Sequence, residues 1–327
     1  MSGRAGRAKM LVAASAIGGV VAGVVAASLL GRPARSAAVP RVECADVVRS
    51  TGQGRFAGMT WIAGGRFRMG SAGHYPDEAP VRSVDVQGFW IDTFEVTNAQ
   101  FAAFVNATGY VTVAERGASD GSSGVAPGGA VFTLPQRGGI GQWGFMSGAN
   151  WRHPEGPASS IEGKESEPVV QIALEDAMAY ATWAGKVLPS ESQWEYAARG
   201  GLDAKTYAWG DELVTAEDWK ANTWQGAFPY ENSAEDGFVG RSPVGCFAPN
   251  GYGVHDMIGN VWEWTRDSYS AGPAAAVVVG VHRGVIKGGS FLCAPNYCQR
   301  YRPAARHPQD ADLGTNHLGF RTVINVD

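Results

Sequence analysis

Two cysteines near the end of the chain, in a stretch rich in glycine and arginine, constrain its fold most. Lys287–Arg302 reads K-G-G-S-F-L-C-A-P-N-Y-C-Q-R-Y-R, so four residues separate Cys293 from Cys298. Two glycines and Ser290 precede the pair, and several arginines follow it. Because nearby positive charge favours the thiolate form of cysteine, this stretch is a candidate reactive site.

The spacing of this pair leaves three alternatives open. A disulfide suits a chain exported from the cytoplasm. A zinc site needs four ligands, and Cys293, Cys298, His307 and His317 do not follow the usual paired spacing of zinc ligands. A two-thiolate site for Cu(I) is the third alternative, since this soft ion prefers sulfur. Spacing alone favours the disulfide.

The first 45 residues differ in character from the rest of the chain. Met10–Leu30 comprises 21 residues without a charge, and basic residues flank it on both sides. At about 1.5 Å per residue, a helix of this length spans the roughly 30 Å hydrocarbon core of a membrane. The pattern is also typical of an export signal. Both alternatives predict that residues 46–327, as a single domain, lie outside the cytoplasm, either membrane-anchored or secreted.

Composition limits the fold class and the partners of this domain. The net charge is −4, so no basic surplus indicates a nucleic-acid partner. The chain contains 45 glycines and 11 tryptophans, which is typical of indoles packed against irregular backbone. Four cysteines are too few for a disulfide scaffold. We therefore expect an α+β domain with short elements and many loops.

Short hydrophobic runs and capping residues predict the regular elements. Met59–Ile62 and Arg66–Met69 indicate two strands around a Gly-Gly turn, and residues 84–96 a further β stretch. Helices are expected after the capping residues Thr97 and Ser190 and over 174–184, whereas residues 115–165 are expected to be irregular. A closing strand is expected over 318–326.

A second group of candidate residues is rich in oxygen. Asn222, Asp236 and the backbone of Thr223 and Phe238 lie within 17 residues. Asp256–Trp264 adds further carboxylates and amides. Such oxygens suit Ca²⁺, although Asp and Asn also cap turns, and the residue types alone favour turns.

Several motifs recur in a recognisable order between residues 59 and 323. They include G-K-V-L-P-S from Gly185, P-N-G-Y-G from Pro249, G-N-V-W-E-W from Gly259, K-G-G-S from Lys287 and H-L-G-F-R from His317. Together they resemble the formylglycine-generating enzymes of the sulfatase-modifying factor family. The resemblance implies a loop-rich α+β fold related to C-type lectins.

The same resemblance implies a function. Members of this family are copper-dependent oxidases that use O₂ to convert the cysteine of a C-x-P-x-R motif in an unfolded sulfatase to Cα-formylglycine, which activates the sulfatase. The implied partners are the unfolded sulfatase polypeptide and O₂, and we expect a monomer. Some relatives with this fold lack the cysteine pair and are silent. The alternative is therefore a non-catalytic module that binds sulfatases or peptides, with a Cys293–Cys298 disulfide.

The resemblance also assigns roles to individual residues. It implies that Cys293 and Cys298 bind Cu(I), that Ser290 helps to place oxygen or substrate, and that Trp262 and Tyr297 lie near the copper. It implies two structural Ca²⁺ sites. The first is formed by Asn222, Thr223, Asp236 and Phe238, and the second by Asp256, Gly259, Val261 and Glu263.

The chain departs from the family pattern at a few positions. Pro303 and Thr322 stand where vertebrate members have stapling cysteines, and Ala294 replaces a histidine that follows the first active-site cysteine. Cys44 and Cys246 lie outside the family frame, and the sequence leaves open whether they pair.

Overall fold

Short elements joined by long loops form the domain. The computed structural model describes residue 44 and residues 54–117, 126–135, 139–212, 218–270 and 282–326. The helices are α1 (Asn98–Thr108), α2 (Val113–Arg116), α3 (Leu174–Trp183) and α4 (Glu191–Ala198). The strands are β1 (Met59–Ile62), β2 (Gly65–Met69), β3 (Arg82–Val86), β4 (Phe89–Asp92), β5 (Gly128–Thr133), β6 (Gln142–Ser147), β7 (Trp262–Ser268), β8 (Arg283–Lys287), β9 (His307–Asp310), β10 (Leu318–Gly319) and β11 (Val323–Asn325).

The apolar segment Met10–Leu30 lies outside the described residues. Among the residues that are described, no helix has the length and hydrophobicity needed to cross a membrane.

The strands of the described residues form four small sheets. The order β1-β4-β11 makes one antiparallel sheet, so a strand near residue 60 and one near residue 324 share the central strand β4. The order β10-β7-β8-β9 makes a second sheet, and β2-β3 and β5-β6 form two separate hairpin-like pairs. The second sheet matters for the site, because the chain leaves β8 directly into the cysteine stretch.

The strands at residues 59–69 are confirmed, and the β stretch predicted over 84–96 is confirmed only as far as Asp92, but the arrangement differs from a local hairpin. β1 pairs with β4 and β2 pairs with β3, so the Gly-Gly turn joins two sheets. The physical reason is a close backbone approach, since a Cβ added to Gly64 would lie 2.7 Å from the Gly88 nitrogen. Gly88 lies between the end of β3 and the start of β4, where the predicted β stretch is divided into two strands.

Two of the three longer helices begin at their predicted capping residues, α1 after Thr97 and α4 after Ser190, whereas α3 begins after Ala173, which makes no side-chain cap. At the start of α1, the Thr97 N–H donates to Gln100 Oε1 over 2.9 Å, and the Gln100 N–H donates to Thr97 Oγ1. Gly109 ends the helix in the left-handed conformation, with φ of 68°. Phe101 and Phe104 on the inner face are buried in the core. Local hydrogen bonding and a single apolar face are therefore sufficient to define this element.

The expectation of an irregular segment over 115–165 is wrong for one hairpin. β5 and β6 pair antiparallel from Gly128 opposite Ser147 to Thr133 opposite Gln142. Every residue of β6 is exposed, and its sequence Q-W-G-F-M-S alternates only in part between apolar and other residues, so the pattern did not predict the strand. The predicted closing strand is also divided, because β10 and β11 belong to different sheets.

Tryptophans pack against irregular backbone in the core, as the composition predicts. The Trp264 indole N–H donates to the Ile172 carbonyl over 2.8 Å, and that of Trp224 to the Glu231 carbonyl over 2.7 Å. Both rings are buried. Because a buried N–H without a partner is costly, these bonds fix the loops that carry the two carbonyls.

Cys44 and Cys246 form a disulfide. The sequence left this pairing open. Disulfides persist in oxidising environments outside the cytoplasm, and this bond is typical of such an environment.

Candidate active site

All five side chains predicted for catalysis line one open cavity of about 530 Å³. β7 contributes Trp262, and the loop after β8 contributes Ser290, Cys293, Tyr297 and Cys298. Residues separated by 36 positions in sequence therefore line one space.

A sharp turn after β8 directs the cysteine loop into this cavity. Gly288 and Gly289 have φ of 96° and 75°, a conformation that L side chains rarely adopt. A Cβ on Gly289 would lie 2.9 Å from Tyr301 Cα. The start of the loop therefore packs directly against the backbone at its end. The Cys293 N–H then donates to the Ser290 carbonyl over 2.9 Å, which closes the next turn.

The two cysteines at this cavity are free. Their sulfurs lie 2.6 Å apart, beyond the roughly 2.05 Å of a disulfide bond. Cys293 is buried, with 1% of its surface exposed, whereas Cys298 is half-buried. The disulfide favoured by sequence spacing is thus absent, and the outer sulfur faces an accessible space.

The two thiols have opposite electrostatic environments. Burial, reinforced by the neighbouring Cys298, raises the pKa of Cys293 well above its usual range. The hydrogen bond from Cys293 lowers the pKa of Cys298, and the Arg300 N–H and the Arg300 and Arg302 charges act in the same direction. The expectation that arginines favour the thiolate therefore applies to Cys298 and not to Cys293.

Those arginines are held in place by two acidic residues from one short turn. Arg302 is buried and forms a two-bond ion pair with Glu78, with 2.7 Å from Nη1 to Oε2. Arg300 pairs with Asp77 over 3.1 Å, and its guanidinium lies 3.9 Å from the centre of the Tyr75 ring. The residues around position 77 thus fix the far end of the cysteine loop.

Aromatic rings form the walls of the cavity. Trp262 is buried and stacks on His307 with 5.6 Å between ring centres. Tyr297 is exposed at the rim and stacks on Phe228 at 4.1 Å. Stacked rings therefore form part of the cavity wall, with a phenol at the rim.

Sequence reasoning did not assign His307, His317 and Trp143 to this site, although all three line the cavity. The His317 ring packs on Trp143 at 4.7 Å, and its Nδ1 lies 3.2 Å from Thr315 Oγ1. Burial lowers the pKa of His317 to about 3, so the ring is neutral. The two histidines were considered only as zinc ligands. No group of three or more His, Cys, Asp or Glu side chains in the described part of the chain is arranged to hold a metal.

The first oxygen-rich set is compact and buried. Asp236 accepts the Thr223 N–H at 3.0 Å and the Phe238 N–H at 2.9 Å, and burial raises its pKa to about 6. Asn222 Oδ1 is buried with no hydrogen-bond partner. An unpartnered amide oxygen beside a buried carboxylate fits an oxygen-preferring cation.

In the second oxygen-rich set, fewer side-chain oxygens are available to bind such a cation. Both Glu263 oxygens already accept hydrogen bonds from Arg321, at 2.7 and 2.8 Å, and one also accepts the Trp194 indole. Asp256 Oδ1 is buried without a partner, and burial raises the pKa of Asp256 to about 6. Gly259 and Val261 lie on the same turn and contribute no side-chain oxygen. Glu95, which the sequence did not single out, also has an unpartnered buried oxygen, and burial together with the nearby Asp256 raises its pKa well above the usual range.

Known proteins resemble this chain over most of its length. Residues 45–326 match the model of the sulfatase-modifying factor enzyme 1-like domain. A formylglycine-generating enzyme of Mycobacterium tuberculosis is 49% identical over 81% of this chain and 96% of its own length. The mouse formylglycine-generating enzyme is 44% identical over 82% of this chain and 75% of its own. An inactive C-alpha-formylglycine-generating enzyme 2 from cattle is also similar, at 39% identity over 83% and 89%.

A solved structure agrees in fold. PvdO from Pseudomonas aeruginosa superimposes with a TM-score of 0.57 at 25% identity, covering 82% of this chain and 94% of its own. The loop-rich fold of mixed short helices and strands that the sequence predicts is confirmed. The chain belongs to the sulfatase-modifying factor enzyme 1-like family.

Proposed function

We propose that this protein is an oxidase that converts the cysteine of a C-x-P-x-R motif in an unfolded sulfatase polypeptide to Cα-formylglycine with O₂, and so activates the sulfatase. The observation that carries the proposal is the free, unequal thiol pair Cys293 and Cys298 on the wall of an open cavity. Relatives named formylglycine-generating enzymes at 44–49% identity support it. A relative named as inactive is also similar over most of this chain, so overall similarity alone does not decide activity.

The electron balance of the reaction defines its co-reactants. Oxidising the substrate thiol to a thioaldehyde breaks one Cβ–H and the S–H bond and releases two electrons. Reducing O₂ to two waters takes four, so two more electrons and two protons come from a thiol reductant that becomes a disulfide. Water then adds to the C=S bond and hydrogen sulfide leaves, which yields the aldehyde.

Cys293 and Cys298 would hold Cu(I), and their chemistry fits this ion because thiolates are its preferred ligands. Bound copper would supply a binding position for the substrate sulfur and the capacity to activate O₂. The two sulfurs lie 2.6 Å apart, so both are available to the same ion. Cys298 supports this role, since its lowered pKa favours the thiolate form that binds a soft metal ion.

The other residues of the site would orient the substrate and limit the access of water. Ser290 is buried beside Cys293, where its hydroxyl favours the thiolate of that residue. Trp262 would form the floor against which the substrate Cβ packs. Tyr297, exposed at the rim, would contact the incoming polypeptide.

We further propose that Ca²⁺ stabilises the fold at the two oxygen-rich sets. Asn222, Asp236 and the carbonyls of Thr223 and Phe238 would bind one ion, and Asp256, Gly259, Val261 and Glu263 the other. Adding Ca²⁺ at 100 times its Kd should stabilise the protein by about 2.7 kcal/mol for each site. Asp236→Asn should reduce this gain in melting experiments, and an unchanged response would contradict the first site.

The proposed client is an unfolded polypeptide, and the protein would act as a monomer in an oxidising compartment, either secreted or anchored through Met10–Leu30. The Cys44–Cys246 disulfide supports such a compartment.

The direct test incubates the copper-loaded protein with a C-x-P-x-R peptide and a thiol reductant under air. Conversion of the peptide thiol to an aldehyde is followed by mass and by an aldehyde-trapping reagent. The wild-type protein should bind one Cu(I) and convert the peptide, and Cys298→Ala should do neither. Copper binding without any conversion would refute the proposal.

A further inference from the structure

The outer edge of strand β6 has no role in the chemistry proposed above. Among the described strands, β6 pairs with β5 alone, along one edge, and all six of its residues are exposed. Trp143 and Phe145 have 41% and 49% of their surface exposed. An exposed apolar edge strand is a template for pairing with another extended chain.

The hydrogen bonds of β5 determine which way the backbone of β6 points. The Ala130 N–H donates to the Gly314 carbonyl over 3.0 Å, and the Ala130 carbonyl accepts the Asn316 N–H over 3.1 Å. Both bonds lie on the side of β5 away from β6. Ala130 stands opposite Phe145. Because the Ala130 N–H and carbonyl point away from β6, this pair shares no hydrogen bond, and the Phe145 N–H and carbonyl point outward from β5.

The next pair along the strand has the same geometry. The Phe132 N–H donates to Asn316 Oδ1 over 3.0 Å, and its carbonyl accepts Asn316 Nδ2 over 3.2 Å. Phe132 stands opposite Trp143, so the backbone groups of Trp143 also point outward. These four groups have no hydrogen-bond partner among the described residues, and they repeat every second residue.

This edge is continuous with the candidate active site. Trp143 lines the cavity that contains Cys293 and Cys298. Phe145 follows two residues later on the same face of the strand, roughly 6.8 Å farther along. The free edge therefore begins at the cavity wall and runs away from the thiols.

We propose that the β6 edge, defined by Trp143 and Phe145, binds the client polypeptide as an added antiparallel or parallel strand formed by residues that flank its reactive cysteine. The inference rests on the proposed function. An unfolded chain presents unpaired backbone groups at the same two-residue period, and strand addition gives affinity that does not depend on its sequence. The two aromatic rings would contact alternate client side chains.

The first experiment leaves the protein unchanged. A long C-x-P-x-R peptide, with serine in place of its cysteine, is methylated at one backbone nitrogen at a time on both flanks, and binding is measured by fluorescence anisotropy. The loss of each hydrogen bond between the peptide and β6 should weaken binding roughly fivefold to tenfold. We expect methylation to weaken binding at every second residue on one flank of the cysteine position, and to have no effect at the residues between them. A uniform effect, or no binding by the unmethylated peptide, overturns the proposal.

The second experiment alters the edge. Phe145→Pro removes an outward N–H without breaking a bond to β5, so KM for the peptide should rise at least about fivefold with kcat retained. Phe145→Ala keeps the N–H and separates the effect of the ring. Trp61→Ala is the matched control, since Trp61 is a similarly exposed aromatic, at 45%, on strand β1 of another sheet. Thermal melts verify that each variant is folded.

The outcomes separate this inference from the proposed function. If the serine peptide binds with the two-residue pattern but the same peptide with its cysteine is never oxidised, the oxidase is refuted and the edge stays supported. Normal oxidation with no alternation refutes the edge alone. If Phe145→Pro instead dissociates a dimer and leaves peptide binding unchanged, the edge pairs with a second copy and the proposal is overturned.

Discussion

The two cysteine pairs of this molecule behave in opposite ways. Cys44 and Cys246 are 202 positions apart and bonded, whereas Cys293 and Cys298 are five positions apart and free. Closeness in sequence therefore does not determine which thiols oxidise. The surroundings of each sulfur and the conformation of its loop determine it.

Non-covalent contacts hold the free pair where a disulfide would otherwise be expected. Gly289 packs on the returning backbone at Tyr301, and the buried Arg302–Glu78 ion pair fixes the end of the loop. The loop is thus ordered without using its sulfurs. The bonded pair serves stability and the free pair remains available for chemistry, a division that the following predictions test.

The largest expected effect is on catalysis. Cys298→Ser should lower the rate of peptide oxidation by more than about 100-fold, because even the outer partners of a metal ligand account for 10–100-fold. The melting temperature should change little, since the half-buried side chain keeps its size. Retained oxidation by a folded Cys298→Ser protein would contradict the assignment of this pair as the reactive one.

Next is the ion pair behind the free thiols. Glu78→Gln should lower the free energy of unfolding by about 3–5 kcal/mol, because it leaves the Arg302 charge buried without its carboxylate. Chemical denaturation measures this loss. Asp85→Asn breaks the exposed Arg66–Asp85 pair and should leave the free energy of unfolding almost unchanged. Equal losses in the two variants would show that the loop does not depend on its buried anchor.

Removing the bonded pair should affect stability and not chemistry. The double variant Cys44→Ala/Cys246→Ala should lose about 2–4 kcal/mol of unfolding free energy, because its unfolded chain is no longer cross-linked. At a temperature where it remains folded, kcat/KM for the peptide should equal that of the wild type. A fall in kcat/KM without a loss of stability would break the division between the two pairs.

The smallest effect distinguishes the two free thiols. In metal-free protein, iodoacetamide should modify Cys298 at least roughly tenfold faster than Cys293 at neutral pH, since one unit of pKa changes the thiolate fraction tenfold. Cys298 has a lowered pKa, so its rate should level off at a lower pH than that of free cysteine. Peptide mapping by mass spectrometry measures both sites. Equal labelling would contradict their unequal environments.

The sequence predicts elements whose determinants are local. The capping box at Thr97 and Gln100 defines α1 through bonds within four residues, and the motif around Cys293 identifies the reactive loop. The five catalytic candidates could therefore be assembled before the fold was known, although their roles stay predictions.

Determinants that act across the chain were not predictable. The Asp77 and Glu78 carboxylates that fix the cysteine loop come from a turn 223 and 224 positions away. His317 joins the cavity only because β10 pairs parallel with β7. The partial alternation in the sequence of strand β6 did not reveal it. In each case the signal is a tertiary contact rather than a local preference.

The Glu78–Arg302 contact also has a consequence for synthesis. A ribosome delivers Glu78 early and Arg302 near the end, and β4 receives its second neighbour only when β11 has emerged. A growing chain that already carries both free thiols therefore lacks the anchor of their loop and the histidine wall of their cavity. The order of translation thus delays a finished reactive centre until almost the whole domain has been made.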